Sequence, residues 1–133
     1  MEYTLDRSLA LDVWKTLDEF TQGYVEAAMW TLTDDDGNSL DYLGLHDIAP
    51  ETLEKAKHDC KDFQESNRAA LDSTGANDAR HGHDFWLTRN HRGAGFWDRG
   101  YGAVGDELTN NAHAYSGADW YVGDDGNVYQ YQG

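Results

Sequence analysis

His81, His83, Asp84, His91 and Asp98 fall within eighteen residues of one another and are of the types that ligate metals or move protons. His81 and His83 alternate, so on a strand they would share one face. Zinc or manganese could use such a pair together with a carboxylate. No HExxH or comparable ligand frame accompanies them, and the expectation is no stoichiometric metal and no cofactor. Arg89, Arg92 and Arg99 could clamp a phosphate or carboxylate, because guanidinium forks match such oxygens. His81, His83, Asp84, Arg89, Asp98 and Arg99 therefore define one candidate ligand site. The plainer alternative has the histidines decorating a loop and strand edge, with the arginines paired to the many carboxylates.

Other catalytic frames are missing from the sequence. The GAG of 93–95 lacks the Lys and Ser/Thr of a phosphate loop and the order of a dinucleotide fingerprint. No GxSxG is present. Cys60 is the one cysteine, which excludes an internal disulfide and a multi-cysteine zinc site. It falls on an apolar helical stripe, as a buried structural thiol would. No catalytic residue is assigned.

The elements that must position these residues follow from hydrophobic period. The 133 residues suit a single domain, 1–133. Ala10, Val13, Leu17, Phe20, Tyr24 and Ala27 recur at helical steps, with Trp14 and Ala28 widening the stripe, and predict a helix over 9–31. A connection rich in Asp and Gly fills 34–47. Pro50 suits the first turn of a second helix, with Asp47 as a possible cap. Leu53, Ala56, Cys60, Phe63, Asn67 and Ala70 carry that helix to about Ser73. Aromatic and β-favouring residues then flank HRG, predicting a hairpin from 84–90 and 94–100. A short helix over 105–115, with Asp106 as a possible cap, precedes a second hairpin at 119–131, whose Asp-Gly marks a tight turn. The expected class is α+β: two N-terminal helices packed on a four-stranded antiparallel sheet, in the order α-α-β-β-α-β-β.

Charge is the strongest global property. Twenty-five acids against ten bases give a net charge of −15. Residues 1–75 hold 17 acids and 6 bases, and residues 76–133 hold 8 and 4. Such a field repels nucleic acid and anionic lipid and favours basic partners, although solubility or salt adaptation would account for it equally well. An aromatic content of 13% argues against disorder. The acidic N-terminal stretch carries no apolar signal core and no run is long enough to span a bilayer, so a cytoplasmic setting is expected. On strands, Phe85 and Leu87 would point away from Trp86 and Thr88, and Phe96 from Trp97, which puts large rings on both faces of a sheet. Either the second face is closed by the loop around 37–47, or Trp86, Trp97 and Trp120 belong to an interface.

GHDFWLTRN, GAGFWDRG, GDELT and YVGDDGNVY, together with FTQGYVEAAMWTLTDDDG and DIAPETL, resemble a group of small uncharacterised proteins of bacteriophages and prophages. The resemblance covers about residues 18–129; HRGAG departs from the usual glycine-rich spelling of its turn. It implies a phage-encoded accessory protein acting in the host cytoplasm, and transfers no activity, fold or catalytic residue.

Three classes of function remain. The first is an acidic interaction protein that inhibits a basic host protein, such as a nucleic-acid-handling defence complex, by presenting carboxylates in place of phosphates and without binding nucleic acid or membrane itself. Asp34, Asp35, Asp36 and Asp41 in the first connection, Asp59, Asp62 and Glu65 on the second helix, and the three tryptophans would make the contact. The second is a small enzyme or ligand-binding protein centred on 81–99. The third is a phage structural or assembly protein, which so polar a chain fits less well than a free soluble one.

Overall fold

The computed structural model describes residues 14–33, 44 and 47–130. Asp34, Asp35, Asp36 and Asp41 lie outside these residues, as does the start of the first expected helix, which is not continuous over 9–31: it breaks at Leu17 and Asp18, where the extended Asp18 caps a helix that begins at Glu19 by accepting the Thr21 N–H. Among the described residues the named elements are α1 (Glu19–Thr31), α2 (Pro50–Ser73), α3 (Asp78–Arg89), a 3-10 turn (Phe96–Asp98), α4 (Ala103–His113), β1 (Trp120–Val122) and β2 (Val128–Gln130).

The four-stranded sheet is not formed. The described sheet is one antiparallel hairpin that pairs Trp120 with Gln130, Tyr121 with Tyr129 and Val122 with Val128. The stretch expected as the first hairpin is instead α3 followed by a 3-10 turn. Local chemistry explains the difference. Asn77 caps α3 by accepting the Arg80 N–H at 2.8 Å, Asp78 stands in its first turn and Arg89 in its last, which is the charge order a helix dipole favours. The β-favouring Phe85, Trp86 and Thr88 are held in this helix by packing, and packing overrides propensity. Residues 84–89 are all buried, so α3 shows no polar stripe from which a helical period could be read.

α3 lies against α1 at unusually close range. A Cβ on Gly23 would stand 2.0 Å from the Ala79 carbonyl oxygen, and one on Gly82 would stand 1.8 Å from that of Phe20. Glycine at both positions lets the two backbones touch. Around the crossing, Phe63 stacks on Phe85 with centroids 4.2 Å apart, and Phe20, Tyr24 and Phe96 complete an aromatic core. Trp86 meets Tyr24 edge-on and donates its indole N–H to the Thr31 hydroxyl at 2.9 Å.

The chain reverses after α3 through His91 (φ 53°), Gly93 and Gly95 (φ 148°). At Gly95 a Cβ would collide with the Thr88 hydroxyl, which accepts the Phe96 N–H. The two expected caps are corrected. Ala49 occupies the N-cap of α2, while the Asp47 carboxylate accepts the Gly44 N–H. α4 begins after Gly102, which puts Asp106 inside its first turn. The Val128 carbonyl accepts both the Ala49 N–H and the Thr52 hydroxyl, joining the start of α2 to the hairpin.

Candidate functional site

The helical form of α3 disperses the candidate ligand site. At 100° per residue, His81 and His83 lie on nearly opposite faces of the helix rather than together. His81 is fully buried against Phe96 and Tyr101. His83 turns the other way and faces the Trp30 ring at 5.9 Å. His91 stacks on His113 beyond the end of the helix. Among the described residues, no three His, Cys, Asp or Glu side chains come together as metal ligands.

Two of the arginines are structural. Asp84 has no solvent exposure, and Arg99 grips both its oxygens through Nε (3.1 Å each) and through Nη2 (2.7 Å). That grip holds the Arg99 guanidinium above its ordinary pKa. Asp98 lies 4.0 Å from Arg99 Nε and accepts the Gly95 N–H. Arg89 is buried in the core. Its Nη1 donates to Asp59 at 2.9 Å and to the Tyr24 hydroxyl at 3.0 Å, and its other nitrogens reach the Ser116 carbonyl. The rings of Phe85 and Tyr115 flank its cationic carbon. Cys60 lies in the same interior, and burial pushes its thiol well above the usual range, as for an inert structural thiol.

The candidate partner residues divide as well. Trp86 and Trp120 pack edge to face in the core, 5.3 Å between centroids, and neither offers a surface. Trp97 is 51% exposed. Asp59 is committed to Arg89, whereas Asp62 and Glu65 are exposed, with Asp62 also accepting the Tyr115 hydroxyl. Asp62 and Glu65 belong to a longer pattern. Glu51, Glu54, Asp62, Glu65 and Asp72 are all exposed and recur at multiples of three and four along α2, on the side opposite Leu53, Cys60, Phe63 and Leu71.

Trp30 was not singled out by sequence, yet it is 75% exposed. It stands at a cavity of about 420 Å³ with Trp14, Met29, Glu26 and His83. The signal was there: Trp30 falls off the apolar stripe of α1, where a large ring has no core to enter.

No protein-family model, curated protein or solved structure matches the chain. No helix among the described residues is long and apolar enough to cross a membrane.

Proposed function

We propose that this chain is a phage-type acidic interaction protein that occupies a basic surface on a host protein, with a nucleic-acid-handling defence protein as the partner class. The observation that carries this reading is the carboxylate stripe of α2. From Glu51 to Glu65 it extends for about 20 Å at the helical rise, on the solvent side of the longest described helix, and Asp72 follows beyond a kink at Asn67. Of the arginines that could offset it, Arg89 is buried and held by Asp59 and Arg99 is taken up by Asp84, while Arg68, partly exposed, pairs with Asp72 at the C-terminal end of the stripe and with Asp78. Lys55, Lys57 and Lys61 flank the stripe, with Lys57 paired to Glu54 at 3.2 Å, so the contact depends on the spacing of carboxylates more than on summed charge. Within the net −15 of the whole chain, this face favours a basic cleft and repels nucleic acid.

The test replaces Glu54, Asp62 and Glu65 together with their amides and compares capture of basic proteins from host lysate with that by the parent chain. The reading expects capture that falls in the triple variant, is released by salt as the screening length shortens to about 3 Å at 1 M, and is displaced by duplex DNA. Capture that survives both salt and the triple substitution would overturn it.

A further inference from the structure

The turn between α2 and α3 lines an open cleft of about 480 Å³ together with Arg80, Arg99 and Tyr101. Arg80 differs from the other arginines of this region. It is exposed on the first turn of α3 and, among the described residues, has no carboxylate within ion-pair distance. Arg99 also lines the cleft, with its side chain 25% exposed. Asp84 takes its Nε and Nη2, which leaves Nη1 without an acceptor among the described residues.

The nearby acids are already engaged. Asp78 is held by Arg68 at 3.0 Å, Asp84 by Arg99, and Asp98 by the Gly95 N–H. The end of α3 is engaged too, since Asn77 accepts the Arg80 N–H, so the cationic character of the cleft comes from side chains. Guanidinium groups with free edges match the oxygens of a phosphoryl group. The cleft is larger than a phosphate alone requires and falls within the size range of small-molecule sites. Tyr101 is half-buried beside the arginines and supplies an apolar wall.

We propose that this cleft binds a small phosphate monoester: Arg80 takes the phosphoryl oxygens, Arg99 Nη1 supports them, and Tyr101 lines the space for the organic part. This site lies apart from the stripe of α2 and stands or falls independently of it.

The experiment is a titration of the isotope-labelled full chain followed by amide NMR, with adenosine monophosphate, adenosine and inorganic phosphate as probes. The monophosphate is expected to give saturable shifts at Gly75, Ala76 and Asn77, with adenosine giving none at the same concentration and phosphate binding more weakly. Arg80→Ala, at an exposed position that carries no packing, should weaken the monophosphate about tenfold or more, the usual effect of losing a charged hydrogen bond. Arg92→Ala, outside the cleft, should leave binding unchanged. Absence of saturable shifts at 75–77, equal response to adenosine, or equal loss in the two arginine variants would overturn the proposal.

Discussion

Gly82 of α3 rests directly on the Phe20 carbonyl of α1, so closely that a methyl group there would stand 1.8 Å from the oxygen. The atom in the way is backbone, which can yield only if the two helices part. Gly82→Ala is therefore expected to destabilise the chain by about 3 kcal/mol or more, at the upper end of overpacking effects. Gly75→Ala meets no atom within 4 Å and carries only the strain of its φ of +78°, a smaller cost. Denaturant midpoints of the two variants check the order.

The pair of Arg89 and Asp59 predicts a different signature. Asp59→Leu leaves a guanidinium in the core without its counter-charge, which costs about 3–5 kcal/mol. Replacing both partners, with Arg89→Met and Asp59→Leu, removes the uncompensated charge and should recover a substantial part of that loss. A double-mutant cycle in chemical denaturation measures the coupling; additive losses would mean that the ion pair carries none of the effect.

Stability should decline on the acid side of neutrality. The Thr74 hydroxyl donates to the Leu71 carbonyl, so the His81 Nε2–H donates to Thr74, and Nδ1 is left buried with no partner. Burial holds the folded His81 pKa below its ordinary 6.5. Above that value the imidazole is neutral in both folded and unfolded states. Below it the unfolded chain takes the proton first, and stability falls until folded His81 titrates. Asp18 adds a second step. Burial would raise its carboxyl, but hydrogen bonds from Thr21 and Gln64 outweigh this and hold it below 3.8, so its contribution is present above 3.8 and lost as pH falls through the folded value. Thermal midpoints across this range should fall with pH, and His81→Gln should flatten the upper part of the curve.

The tryptophans separate into two groups by burial. Trp86→Ala should cost about 3–5 kcal/mol, since the side chain is 1% exposed and hydrogen-bonded to Thr31. Trp97→Ala and Trp30→Ala, at 51% and 75% exposure, should change stability little. Calorimetric unfolding of the three variants compares them directly.

The parts of this fold legible in the sequence are those where one face is wet. α2 has an apolar side running through Leu53, Ala56, Cys60 and Phe63 against a charged one, and its course from Pro50 to Ser73 follows from that contrast. The last hairpin was legible from its Asp-Gly turn, which forms between Val122 and Val128. α3 was not legible, because a helix enclosed by α1, the 3-10 turn and α4 loses the polar side that reveals its period, and its aromatic residues then read as strand. The geometry of the candidate site changes with it. A two-residue alternation that joins His81 to His83 on a strand separates them on a helix. Arg99 and Asp84 did come together, but as a bond within the fold, as the plainer reading of the arginines had it.

Val128 accepts hydrogen bonds from the opening turn of α2, and the Thr52 bond spans 76 residues of chain. On the ribosome, α2 emerges long before its acceptor is made. Its middle can coil early, but the end that carries Glu51 and Glu54 cannot gain this anchor until β2 has left the exit tunnel. The long loop that must close for this contact makes it a late event in folding. Before β2 is made, the turn that carries Glu51 and Glu54 holds only its own backbone bonds to Ala49 and lacks this tie to the hairpin.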